Sequence, residues 1–508
     1  MFLIKAPLNI QDYYKIIFEK SSFRLNNDAL VKIDKSFDFL SKVYNKNIIY
    51  GINTGFGPMA QYKIKDRDQI QLQYNLIRSH ASGTGKIISP MYVRASILAR
   101  LNSFMLGYSG VHRSVIKLMI KLINNNITPI IYEHGGVGAS GDLVQLAHLA
   151  LVLIGEGEVL YKGERQLTQK VFEVENIKPI PIKIREGIAL MNGTSVMSGI
   201  GIINTIYVRK LLNRVISCSS AINELVRANI EHLSFELNQT KKHIGQRKIA
   251  KLMRLHLNDS TLIKKQRNGN TIKNDSEDTL MFEDKLQEYY SLRCVPQILG
   301  PILDTLDGVE KILIAEVNSV NDNPIIDMEK EQVFHGGNFH GDYVSLEMDK
   351  LKIVVTKMSI LAERQLNYLL NPKLNNILPA FVNLGKLGLN FGMQGVQFTA
   401  TSTTAENQML SNPMYIHSIP NNNDNQDIVS MGSGAALITK KVIENAFEVV
   451  AIEMITITQA IEYLNVNDKI SSKTKKMYEE IRALVPAFSK DVVMYPYINA
   501  VKEFILKN

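Results

Sequence analysis

The chain has 508 residues, of which 45% are apolar and 21% charged, and its formal net charge is +9. That length and apolar share allow a large buried core and exclude a disordered chain or a small disulfide-stapled domain. Lysines and arginines alternate with acids along most helical segments, so the positive balance reads as a solvated surface and not as a patch for nucleic acid or membrane.

At the N-terminus, Met1-Phe2-Leu3-Ile4-Lys5 runs into the polar Asn9-Ile10-Gln11-Asp12 without the apolar core and cleavage site of a secretory signal. No uninterrupted apolar run reaches the length of a membrane span. Two cysteines, Cys218 and Cys294, give neither a disulfide framework nor a metal-binding pair, and we expect a cytoplasmic protein. Further on, Tyr50-Gly51-Ile52-Asn53-Thr54-Gly55-Phe56-Gly57 sets three glycines around a tyrosine, the composition of a lid that can move. Read alone, Tyr50 is a half-buried aromatic with a hydrogen-bonded hydroxyl.

The segment Gly135-Gly136-Val137-Gly138-Ala139-Ser140-Gly141-Asp142 precedes apolar positions Leu143, Leu146, Ala147, Ala150, Leu151 and Ile154. Their spacing predicts an amphipathic helix that ends near Gly155 and Gly157, with its N-terminus aimed at Ala139-Ser140-Gly141. Unpaired N–H groups and the helix dipole make such an end suited to stabilising negative charge. Ser140 also suits a plain helix cap. Gly136 to Gly141 fits the G-x-G-x-x-G fingerprint of a nucleotide-binding oxidoreductase as well, with Glu158 downstream. That reading needs a preceding strand and repeated βαβ units, whereas Pro129 interrupts Ile127–Ile131 and long helical patterns dominate the rest.

Short helices and glycine-bearing loops fill residues 1–193, and residues 194–508 are mostly long amphipathic helix. No Pro/Ser-rich linker separates the two parts. The clearest helices run from Val344 to Leu370 and from Lys440 to Tyr463, and Leu351, Val354, Met358, Leu361 and Ala362 suit a bundle core. The expected fold is mainly α, a long-helix bundle with a mixed N-terminal part. Lys264 to Glu277 lacks apolar periodicity and predicts a mobile surface loop, and Asn421–Asn425 predicts turns. His335, His340 and Asp342 fit no helical H-x-x-x-H spacing, so we expect a loop there and no metal.

Gly138-Ala139-Ser140-Gly141-Asp142-Leu143 resembles the signature of the aromatic amino acid ammonia-lyases, which act on histidine, phenylalanine and tyrosine. Supporting motifs, in the family's order along the chain, are Tyr50–Gly57 and Arg78-Ser79-His80 before it, and Asn192-Gly193-Thr194, Tyr290-Ser291-Leu292-Arg293-Cys294, Asn321-Asp322-Asn323-Pro324, Gly337-Asn338-Phe339-His340 and Asn425-Gln426-Asp427 after it. The resemblance spans nearly the whole chain. It implies that Ala139, Ser140 and Gly141 cyclise with loss of two waters into 4-methylideneimidazol-5-one, an electrophile that needs no external cofactor. It implies further that Tyr50 and Tyr290 are catalytic, that Arg293 holds the substrate carboxylate, that Asn192 and Gln287 position amine and electrophile, and that Phe339 packs near the electrophile. A homotetramer with sites built from three subunits is implied too. A tyrosine serves as a base only where dipoles and donors lower its pKa, and we expect that of Tyr50.

The resemblance makes Ser79-His80 the pair that selects the substrate ring, a pair shared by histidine- and tyrosine-acting members. Gln426 stands where histidine ammonia-lyases usually place a glutamate, and Gln394 where they usually have methionine. A neutral amide beside a histidine suits a phenol, which both donates and accepts. His80, Gln394, Asn422 and Gln426 are therefore expected at the substrate, and the expected activity is that of a bacterial tyrosine ammonia-lyase yielding trans-4-hydroxycinnamate (p-coumarate). Histidine ammonia-lyase and tyrosine 2,3-aminomutase are the alternatives within the family. A nucleotide-binding oxidoreductase and a catalytically dead helical scaffold are those outside it.

Overall fold

The computed structural model describes residues 2–263, 272–276, 279–282 and 286–508. The chain is mainly α-helical, and the bundle core is built on the long helices Ser195–Leu225, Val295–Val317, Asp342–Leu370 and Gly432–Leu464. The helix expected from Lys440 starts about two turns earlier, at Gly432. Glycines at 432 and 434 hide that start from a propensity reading. Space decides it, because a Cβ at Gly432 would lie 2.5 Å from Met197 Sδ. Lys264–Thr271 and Glu277, part of the expected surface loop, lie outside the described residues, while Ile272–Ser276 pairs antiparallel with Thr279–Phe282.

Two compact units interleave along the chain: residues 1–206, 309–350 and 413–440 form unit 1, and residues 207–308, 351–412 and 441–508 form unit 2. Unit 1 carries the short strands and the glycine-bearing loops. Its helix Pro90–Met105 is buried from Tyr92 onward on every face, polar residues included. Arg100, at the centre of that helix, donates to Asn321 Oδ1 at 3.1 Å and packs against Gly193, where a Cβ would lie 2.6 Å from its guanidinium. Arg185 pairs with Asp322 at 3.1 Å, both fully buried. A buried pair of this kind is weak evidence for stability; Asn321, the neighbour of Asp322, is what a Cβ at Gly193 would meet at 2.6 Å.

Strands pair in parallel once among the described residues, Phe2–Ile4 with Phe23–Leu25. Thr128–Pro129 pairs antiparallel with Val159–Leu160, and Tyr132–His134 antiparallel with the Thr84–Ile87 strand. The doubly wound sheet that a dinucleotide site requires is not present among these residues. Unit 2 buries Leu351, Met358, Leu361 and Ala362 as their periodicity predicts, and Val355 is buried in place of the half-buried Val354. Cys218 and Cys294 are unpaired. No helix of the described residues is long and apolar enough to cross a membrane.

Candidate active site

The helix predicted after Asp142 runs from Leu143 to Leu153, and three further helix starts meet the segment ahead of it. Met431 N–H donates to Val137 O at 2.9 Å beside the start of Gly432–Leu464, and Gly341 N–H to Gly138 O at 3.2 Å beside the start of Asp342–Leu370. Gly193, two residues before Ser195–Leu225, accepts from Asp142 N–H at 2.8 Å. Asp142 Oδ2 accepts from Val196 and Met197 N–H at 2.7 and 3.0 Å, and Ser433 Oγ donates to Oδ1. Burial pushes the Asp142 carboxyl up to about 6, against the Ser433 hydroxyl and the two N–H groups. Four positive helix ends thus meet the residues that flank Ala139-Ser140-Gly141.

Glycine is required at two points of this segment. Gly138 has φ +78°, and a Cβ there would lie 2.1 Å from Ser430 Oγ; Gly141 has φ +71°, and a Cβ would lie 2.0 Å from Gly193 O. Both conformations and both approaches exclude a side chain. Ala139 is buried, Asn192 Nδ2 donates to Ser140 O at 3.0 Å, and Gln426 Nε2 donates to Ser140 Oγ at 2.9 Å. Asn192 Oδ1 is buried without a hydrogen-bond partner.

A cleft of about 500 Å³ opens over Ser140, lined by Tyr50, His80, Asn192, Phe339, Asn422 and Gln426 among the expected residues. Phe56, Met59, Leu72, Leu76, Leu143 and Ile188 add apolar wall; Asn75, Ser79, Asn323 and Asn425 add polar groups. Leu72, Leu76, Ser79 and His80 lie on one face of the helix Gln69–His80, a spacing present in the sequence but hidden by its polar members. His80 Nδ1 sits 3.0 Å from Leu76 O. Nδ1 is also 3.0 Å from Ser79 Oγ; in the tautomer that donates to the Leu76 carbonyl, Nε2 is an acceptor.

Tyr50 Oη accepts from Gly57 N–H at 2.8 Å, and its ring meets Phe56 edge-on at 5.9 Å. Burial holds the Tyr50 phenol above its ordinary value, with the Gly57 N–H pulling it back. The expected lowering is therefore not found, because desolvation outweighs one donor. His335 Nε2 accepts from Tyr50 N–H at 3.2 Å, and His340 Nδ1 lies 3.0 Å from Asp342.

The cleft is lined without Gln287, Tyr290, Arg293 or Gln394. The first three line a separate cavity in unit 2, where the Arg293 guanidinium stacks 4.5 Å from the Tyr290 ring centre and donates to Glu288 O. Gln394 opens the helix Gln394–Leu410 of the same unit.

Residues 8–483 match the family model described as aromatic amino acid lyase. The chain is 39% identical to a tyrosine 2,3-aminomutase of Chondromyces crocatus, with 99% of this chain and 96% of that one covered. It is 34% identical to a histidine ammonia-lyase of a Geobacillus species, covering 98% and 95%. Among solved structures, the phenylalanine aminomutase of Pantoea agglomerans superposes with a TM-score of 0.93 at 32% identity, covering 100% of this chain and 99% of that one. Similar proteins therefore carry the names of three different amino acids, and overall likeness does not select among them.

Proposed function

The chain belongs to the aromatic amino acid lyase family and is a carbon–nitrogen lyase, and from that premise we propose that it eliminates ammonia from L-tyrosine to give trans-4-hydroxycinnamate. One observation carries the choice of substrate: His80 lines the cleft with Nδ1 engaged at Leu76 O and Ser79 Oγ, which leaves Nε2 for a substrate group, and no carboxylate is among the described lining residues. A phenol O–H donates to that nitrogen. A cationic imidazole would find no anion, and phenylalanine would leave a desolvated acceptor unpaired. The expected pairing of Gln426 with the phenol keeps both a donor and an acceptor, because only one of its two amide N–H groups reaches Ser140 Oγ, an atom that the ring closure removes.

The residues around Ser140 fit the ring closure that the family implies: no side chain stands at Gly141, its neighbour Gly193 holds it from behind, and Asn192 grips the Ser140 carbonyl. The resulting 4-methylideneimidazol-5-one would supply an electrophilic methylene for the substrate amine. Tyr50 is our candidate to take the β-proton: burial holds its phenol up, and the Gly57 N–H, which pulls it down, would stabilise the phenolate. The four helix ends favour negative charge over the triplet. Phe339 and the apolar wall offer the substrate ring a nonpolar surface.

Among the described residues no arginine or lysine lines the cleft, yet an amino acid's carboxylate calls for a cation. This supports an assembly in which a second copy of the chain presents its Arg293, with Tyr290 and Gln287, to the cleft, as a homotetramer would.

The test is His80→Phe, which should lower kcat/KM for tyrosine and raise the relative rate with phenylalanine. Loss of one recognition contact costs about 1–3 kcal/mol, or roughly ten- to a hundredfold in preference. An unchanged tyrosine-to-phenylalanine ratio would overturn the substrate reading. A second reading, tyrosine 2,3-aminomutase, is favoured by the 39% identity to a protein of that name. It shares the elimination and differs in returning the ammonia to the β-carbon.

A further inference from the structure

We propose that His148 is a positioning residue that fixes the distance between the ring-reading His80 and Ser140, an inference that rests on the reading of His80 given above. His148 lies on the Leu143–Leu153 helix, whose first residue borders the cleft next to Ser140. Five residues along a helix span about 7.5 Å, which carries His148 from the Ser140 end of the cleft toward its ring end.

There its Nε2 accepts from Gly83 N–H at 3.0 Å. Gly83 follows His80 by three residues. The helix Gln69–His80 has ended, Ser82 N–H folds back on His80 O at 2.8 Å, and the strand Thr84–Ile87 begins. The imidazole therefore grips the chain where it leaves the helix that presents His80. Little slack is left, since a Cβ at Gly83 would lie 3.0 Å from His148 Nε2 and 3.2 Å from His134 O.

The imidazole is itself held. Its ring meets Tyr132 edge-on at 5.4 Å, Tyr132 pairs with Ile87 across the two-stranded ribbon, and Arg165 donates to the Tyr132 hydroxyl at 2.9 Å. An Nε2 that accepts must be unprotonated, and burial holds the His148 pKa below its ordinary value. One rigid helix thus carries both the residue next to the triplet and the anchor of the selector. Such support decides whether a recognition contact stays within hydrogen-bond reach.

The experiment compares His148→Leu, His148→Gln, His80→Phe and the double variant His80→Phe/His148→Leu. Its readouts are kcat/KM for tyrosine and phenylalanine, and calorimetric binding of p-coumarate and cinnamate. His148→Leu should lower the tyrosine-to-phenylalanine ratio, and the p-coumarate-to-cinnamate affinity ratio, by about tenfold, with phenylalanine turnover and cinnamate affinity little changed. That retention also shows that the variant folds. His148→Gln, whose amide oxygen can accept from Gly83, should restore most of the ratio, and in the His80→Phe background His148→Leu should change the ratio no further. Equal loss on both ligands, no rescue by glutamine, or additive losses in the double variant would overturn the proposal. A ratio shifted by His80→Phe but not by His148→Leu would overturn the positioning role alone. A ratio indifferent to His80→Phe would overturn the reading of the ring end itself.

Discussion

Ser140→Ala should fold and assemble normally and lose activity by a factor on the order of 10³ or more, the scale of losing a covalent catalytic group. The structural cost is small: the serine hydroxyl gives up one hydrogen bond, from Gln426 Nε2, worth about 1 kcal/mol. The chemical cost is large, because alanine has no hydroxyl to lose as water and so cannot form the methylene. Kinetics on the purified variant, with its thermal midpoint measured in parallel, separate the two. Wild-type protein should likewise be inactivated by borohydride or cyanide, which add to such a methylene. Near-normal turnover in Ser140→Ala would end the proposed chemistry.

Arg293→Ala should reduce kcat/KM by roughly ten- to a hundredfold, as removal of a charge-assisted contact worth about 1.5–3 kcal/mol predicts. Arg293→Lys should recover only part of the loss, since an ammonium cannot reproduce the planar fork. The more telling result concerns mixtures. Arg293 lies outside the lining of the cleft around Ser140. If a second copy supplies it, co-expressed Ser140→Ala and Arg293→Ala chains should form mixed assemblies with more activity than either variant alone, because some sites then pair an intact Ser140 with an intact Arg293. Mixed assemblies no better than the parents would mean that both residues serve from one chain.

The sequence made parts of this site legible for physical reasons. The triplet could be found because glycines at 138 and 141, a serine between them and an apolar helix after them form a local pattern, and local patterns survive without a structure. Tyr50, His80, Asn192, Phe339, Asn422 and Gln426, far apart along the chain, meet at one cleft, and no periodicity announces that; family motifs did. Spacing could show one helix end at Ser140. The other three arrive through long-range backbone contacts such as Gly341 to Gly138 and Met431 to Val137. The raised Tyr50 phenol was equally hidden, since burial is set by neighbours from elsewhere in the chain. The start at Gly432 is hidden in the sequence because packing against Met197 overrides the poor helix propensity of glycine.

The substrate assignment is tested most directly by product analysis. Purified enzyme is incubated in parallel with L-tyrosine, L-histidine and L-phenylalanine, and products are identified by mass spectrometry alongside an ammonia assay. Tyrosine should be consumed fastest, giving trans-4-hydroxycinnamate and ammonia in equal amounts. Urocanate from histidine as the main product, or β-tyrosine accumulating without free ammonia, would contradict the assignment.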